Sequence, residues 1–148
     1  VVLVATEERP TTRDAGRNWD RLEQEPGVSR FQAAGARDLG MLGAGVEKAS
    51  IVVDALLGTG VRGALREPIR GAVELARRAR EAGVPVLAVD TPTALDLSSG
   101  AVSDPQVRAD VTITFHRPKH GLLTRSGRAL AGRRLVAPIG IPAGADPA

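Results

Sequence analysis

Apolar residues fall in short continuous runs along this chain, each closed by glycine, proline or an acidic residue, and the runs alternate with stretches of helical spacing. Residues 1–5 (VVLVA) read as a buried strand. Thr11-x-x-Asp14 has the form of a capping box, and Ala15, Trp19 and Leu22 then share one helical face until Pro26 and Gly27 stop it. Residues 28–32 are a second strand candidate. From 36 to 48, Leu39, Leu42 and Val46 sit at helical spacing, although Gly40, Gly43 and Gly45 weaken a helix there. A strand over 51–57 leads through a glycine-rich loop to a firmer helix over 68–82. Pro68 suits its first turn, Ile69, Val73 and Ala76 form its inner stripe, and Gly83 with Pro85 ends it. Its Arg70, Arg77, Arg78 and Arg80 read as a solvated face. Strand 86–89 closes on Asp90; a loop over 91–106, a strand over 109–115, a polar loop over 116–124 and a last strand over 134–137 follow.

Mostly continuous apolar strands alternating with helices predict an α/β fold whose parallel sheet is covered on both faces. In such sheets ligands sit beyond the carboxyl ends of the strands. That edge would collect Asp90, the 58–63 loop and the 116–121 loop.

Composition narrows the picture. At 148 residues and 43% hydrophobic content, the chain can bury one core and reads as a single domain. Trp19, Phe31 and Phe115 are its only aromatics, so the core must be aliphatic. With no cysteine there is no disulfide and no thiolate metal site. No apolar run approaches the ~20 residues of a membrane span. Twenty basic residues against seventeen acidic give a net charge of only +3, without the dense basic patch and stacking aromatics of a nucleic-acid binder. A cytoplasmic protein is the expectation, with no membrane or nucleic-acid partner.

The chemistry centres on residues 51–70, IVVDALLGTGVRGALREPIR. Strand, glycine-rich turn, helix is the order of a phosphate-binding α/β unit, because glycine lets backbone N–H groups approach an anion closely. A merely tight turn would read the same way. Asp54 separates the two, since a carboxylate inside a buried strand needs a partner. A dehydrogenase fingerprint fits less well. Leu65, Arg66 and Glu67 still separate the last glycine from the helix, and Asp90 lies late for the usual ~20-residue spacing.

Three blocks, IVVDALLGTGVRGALREPIR, VLAVDTPTALDLSSG and ADVTITFHRPKHGLL, resemble in this order the NAD(P)H-hydrate epimerase family, the YjeF N-terminal domain. The likeness runs from about Ala49 to Pro142. It implies a three-layer αβα Rossmann-like fold, interconversion of the R and S forms of hydrated NADH and NADPH, and a bound potassium ion; a homo-oligomer is a further expectation. Gly58, Thr59, Gly60, Val61, Arg62, Gly63 and Ala64 match the segment that wraps the substrate phosphates. Asp54 and Thr93 match the potassium ligands. Asp90 matches the substrate-contacting aspartate and is the candidate for acid–base work; Lys119 would orient the nicotinamide amide or a phosphate. His116 and His120 flank Lys119 in a proline-containing loop, where helical zinc geometry does not apply, and read as loop residues.

The chain also departs from the family pattern. Ala94 stands where the family usually has glycine, which would strain the loop if φ there were positive. The family's asparagine- and glycine-rich loop (N-G-G-D-G in form) does not occur, and an N-terminal segment is expected to be missing. Residues 1–142 are the expected domain. The tail AGADPA over 143–148 reads as a linker to which a fused NAD(P)H-hydrate dehydratase domain could attach. A catalytically inactive module of the same fold is the alternative, and a NAD-binding dehydrogenase-like domain ranks third.

Overall fold

The computed structural model describes residues 2–5, 9–60 and 62–145. Its elements run β1 (Val2–Ala5), α1 (Arg13–Leu22), β2 (Ser29–Gln32), α2 (Ala36–Leu42), a 3-10 turn (Val46–Lys48), β3 (Val52–Asp54), α3 (Ile69–Glu81), β4 (Val86–Val89), β5 (Val111–Phe115), α4 (His120–Leu123), α5 (Arg125–Ala131) and β6 (Arg133–Ala137). All strand pairings are parallel. β1 pairs with β2, and β3, β4, β5 and β6 form a four-stranded sheet in chain order. This is the parallel α/β arrangement that the alternation of runs predicts, and it is Rossmann-like as the family resemblance implies. Among the described residues no helix is long and apolar enough to cross a membrane.

Register explains which face of the four-stranded sheet is core. Asp54, Ala88, Thr112 and Arg134 stand in line across it, so Val86, Ala88, Thr112 and Thr114 look to one side. On that side Val73 and Ala76 of α3 pack with Val86, Ala88, Leu65, Ala94, Val107 and Ala109. Val73 has no exposed surface, and a fully buried valine stabilises by roughly 1.5–3 kcal/mol. The opposite face, with Val53, Leu87, Ile113 and Leu135, is less enclosed: Val53 is 53% and Leu135 40% exposed. Cover on that side is partial among the described residues.

The arginines of α3 divide. Arg70 and Arg77 pair with Glu74 and Glu81 along the solvated face. Arg78 instead donates to the Gly43 carbonyl, and Arg80 pairs with Asp110. The Asp110 carboxylate also accepts from the Val86 N–H at 2.8 Å, so it fixes the start of β4.

Two differences from the sequence pattern have physical causes. The predicted strand 51–57 keeps ladder pairing only over β3, because beyond Asp54 the Leu56 and Leu57 N–H groups turn to side chains. Residues 120–131 form two short helices that the pattern did not predict. Gly121 reads as a loop residue but serves close packing: a Cβ on it would lie 2.5 Å from the Asp96 carbonyl oxygen and 2.6 Å from the Leu97 Cα. Thr124 caps α5 by accepting from the Gly127 N–H at 3.1 Å.

That contact predicts that Gly121→Ala lowers stability by about 1–3 kcal/mol, the usual scale for overpacking. Gly45→Ala, where a Cβ meets nothing within 4 Å, should be close to neutral. Chemical denaturation midpoints check both; equal midpoints for parent and Gly121→Ala would mean that the approach is looser than described.

Candidate active site at the carboxyl ends of the strands

Asp54 ends β3 and is only 2% exposed, so its charge has to be met from inside the protein. Thr93, itself fully buried, meets it twice. The Thr93 N–H donates to Oδ2 at 2.8 Å and its hydroxyl to Oδ1 at 2.5 Å. The Leu56 N–H adds a longer bond at 3.4 Å, and the Thr93 hydroxyl accepts from the Leu57 N–H at 3.2 Å. Burial pushes the Asp54 carboxyl above its ordinary value, against the lowering effect of the Thr93 and Leu56 donors. Asp54 and Thr93, picked separately from the sequence, are therefore one unit.

A hard cation prefers oxygen ligands, and this pair offers only oxygen. A carboxylate has about four lone-pair positions, of which three are filled here; the Thr93 hydroxyl retains one of its two. The donor chemistry fits a potassium ion at those remaining positions. Among the described residues no cluster of three His, Cys, Asp or Glu side chains stands ready to hold a metal.

Asp90 follows β4 directly and adopts φ +68°, a left-handed conformation that aspartate tolerates better than most residues. Its Oδ1 is held by the Lys119 ammonium, by the Thr114 hydroxyl at 3.2 Å and by the Phe115 N–H at 3.4 Å. Lys119 in turn donates to Thr114 Oγ1 at 3.0 Å and to the Phe115 carbonyl at 3.1 Å. An ammonium has three donors, so all of those on Lys119 are engaged within the protein. Burial disfavours the Asp90 anion, but the hydrogen bond and charge of Lys119 outweigh it, helped by Phe115 and Thr114, and hold the carboxyl below the ordinary range. Oδ2 carries no hydrogen bond among the described residues and faces the glycine loop: a Cβ on Gly58 would lie 4.0 Å from it.

Within that loop Gly60 and Gly63 adopt φ of +100° and +73°, and nothing lies within 4 Å of a Cβ on either. Glycine is favoured there by backbone conformation, and the space beside it is open. The Ser103 hydroxyl donates to the Gly63 carbonyl at 2.5 Å and ties the loop to the segment after β4. A cleft of about 360 Å³ lies between Thr59, Gly60 and Arg62 on one loop, Asp96, Leu97 and Ser98 on another, and Lys119 and His120. A second hollow of about 430 Å³ adjoins Gly63 and Ala64, bordered by Asp96 and Ala101, Val102, Ser103 and Asp104.

Of the residues expected from the sequence, Thr59, Gly60, Arg62 and Lys119 line the first cleft, Gly63 and Ala64 the second, and Gly58 borders Asp90. Val61 lies outside the described residues. Asp54 and Thr93 form the buried pair next to the loop's start, through the Leu57 N–H. Ala94 has no positive φ and is packed in the core, so alanine imposes no strain there. Asp96, Ser98 and His120 were missed. Asp96 does carry a readable signal, since D-x-S-S is an Asx-turn pattern, and its Oδ1 accepts from the Ser98 and Ser99 N–H groups at 2.8 and 3.1 Å. Those two donors, Ser99 first, keep its carboxyl below the ordinary range.

The Asp90–Lys119 pair has a pH signature. Because the folded-state value of Asp90 is depressed, its stabilisation is fully present above the ordinary carboxyl range of about 4 and is lost as pH falls through the folded value. Lys119→Met should cost about 1.5–3 kcal/mol at neutral pH, the scale of a hydrogen bond to a charged group. Its difference from the parent should shrink as Asp90 is protonated. Denaturation curves recorded across the acid range check this, and a difference that stays constant with pH contradicts it.

The family model described as YjeF-related protein N-terminus matches residues 1–121, extending upstream of Ala49 and stopping short of Pro142. The bifunctional NAD(P)H-hydrate repair enzyme Nnr of Methanothermobacter thermautotrophicus is 40% identical over 147 residues, which is 99% of this chain and 27% of that protein. The NAD(P)H-hydrate epimerase of Cenarchaeum symbiosum is 33% identical over 146 residues, 99% of this chain and 63% of its own. The crystal structure of the yeast protein ynu0, YNL200c, superposes with a TM-score of 0.63 at 25% identity, covering 81% of this chain and 48% of that one. The chain thus spans less than two thirds of each of these relatives. With the family model matched over the strands and loops that carry Asp54, Gly58, Asp90 and Lys119, the chain belongs to the family of YjeF-related protein N-termini.

Proposed function

We propose that the chain carries the NAD(P)H-hydrate epimerase site and interconverts the R and S forms of hydrated NADH and NADPH. The observation that carries this reading is Asp90, anchored through Oδ1 and presenting an uncommitted Oδ2 toward the glycine loop. The names of the relatives support the substrate. The bifunctional ones also support a dehydratase domain as a companion in a longer protein.

The hydrate's reacting carbon bears a hydroxyl and a ring nitrogen, so it inverts by opening and reclosing. Asp90 Oδ2, ionised because Lys119 keeps its carboxyl acidic, accepts the hydroxyl proton. The carbon–oxygen bond becomes a carbonyl as the carbon–nitrogen bond breaks and leaves its electron pair on nitrogen, which takes up the proton from Asp90. Rotation and closure on the other face reverse these transfers and leave Asp90 ionised again. Lys119 acts by holding Asp90 in place and in its charged form. Thr59, Gly60 and Arg62 bind the phosphates and fix the ring against Asp90. Asp54 and Thr93 would hold potassium, which when bound supplies a fixed positive charge beside the buried carboxylate. The non-catalytic alternative loses the support of Ala94, since alanine at that position is unstrained.

Two outcomes are expected. Asp90→Asn keeps shape, tolerates positive φ and cannot accept the proton; epimer equilibration, followed by chromatography of the R form, should slow by at least ~100-fold while dinucleotide binding stays within a few-fold. Equal rates would clear Asp90 of catalysis. For the cation, dinucleotide affinity should be higher in potassium than in choline chloride, and Thr93→Val should erase the difference. Identical affinity in both salts would remove potassium from the reading.

A further inference from the structure

We propose that His120 is a substrate-binding residue that, with Arg62, grips the dinucleotide's pyrophosphate. This rests on the proposed dinucleotide site and adds a residue to it. The cleft beside Asp90 has three basic side chains, Arg62, Lys119 and His120. Lys119 is already committed, because its three donors end on Asp90, Thr114 and the Phe115 carbonyl. Beside the hydroxyls of Thr59 and Ser98, an anion in this cleft therefore draws its nitrogen donors from the other two side chains. The His120 ring is exposed and makes no hydrogen bond among the described residues. Its backbone is held firmly even so, since Gly121 next to it packs against Asp96 and Leu97 and donates to the Leu97 carbonyl at 2.7 Å. A fixed backbone with an uncommitted ring is how a ligand-binding side chain is presented.

The charged groups that line the cleft with His120 come from three segments: Arg62 from the glycine loop, Asp96 from the segment after β4, and Lys119 beside it. The buried residues of α5, which packs on α4, are Gly127, Leu130 and Ala131, none of them ionisable. The Oδ1 of Asp96 is occupied by the Ser98 and Ser99 N–H groups. An imidazole N–H that lines the same cleft as the Arg62 guanidinium gives a phosphate oxygen a second nitrogen donor.

ADP-ribose is a suitable probe, because it carries the pyrophosphate without the nicotinamide ring. Calorimetry on the chain should find ADP-ribose bound roughly five- to tenfold more weakly by His120→Ala than by the parent, since a side-chain donor to a phosphate oxygen is lost. His120→Lys, which keeps a donor at that position, should bind about as tightly as the parent. His120→Ala binding as tightly as the parent would overturn the proposal, as would absence of ADP-ribose binding by the parent. If binding follows the expected pattern but the R epimer is not converted, the grip stands and the epimerase reading is what fails.

Discussion

A carboxylate shut away from water at the end of a strand has to be neutralised or hydrogen-bonded, and Asp54 meets that demand across 39 residues of chain through Thr93. Much follows from this one pair. It ties the end of β3 to the segment after β4, where residues 91–95 are all buried. That segment then cannot move independently, and Asp90, immediately before it, inherits a fixed position. The same Thr93 hydroxyl accepts from the Leu57 N–H, so the entrance to the glycine loop hangs on it as well. Two segments far apart in sequence are oriented by one buried contact.

The second charged pair works differently. Asp90 and Lys119 are half-buried, and their bond binds the end of β4 to the end of β5 through Thr114 and Phe115. Where Asp54 is pushed above the ordinary range by burial, Asp90 is pulled below it by a cation. Two aspartates on neighbouring strands are thus shifted in opposite directions, one by burial and one by a neighbouring cation.

How much of this could be read in the sequence varies with the kind of signal. The run 51–57 with a single acid in it singled out Asp54, and alternating runs gave the parallel α/β sheet. Thr93 and Lys119 came only through family resemblance, because their partners lie 39 and 29 residues away. The helices α4 and α5 were hidden, since Gly121 and Gly127 weaken the helical pattern for the sake of contacts that only the folded chain reveals. His120 was read as a loop residue, and its exposure to the cleft depends on those same helices. The shortened β3 reflects side-chain acceptors competing with the ladder for N–H groups, which no periodicity reports.

The segment from Asp96 to Ala101 carries a consequence for how a ligand would arrive. Its turn is closed by Asp96 Oδ1, by Gly100 N–H to the Asp96 carbonyl at 2.8 Å and by Asp96 N–H to the Ala101 carbonyl at 2.8 Å. Leu97 and Gly100 are further fastened to Gly121 and Ser126. This wall of the cleft is therefore preorganised, and association freezes little of it. Among the described residues the glycine-rich wall opposite has few such ties, and two of its residues adopt the positive φ that favours glycine. The conformational entropy lost on binding concentrates there, so substitutions that stiffen that loop in its bound shape would raise affinity without adding a single contact to the ligand.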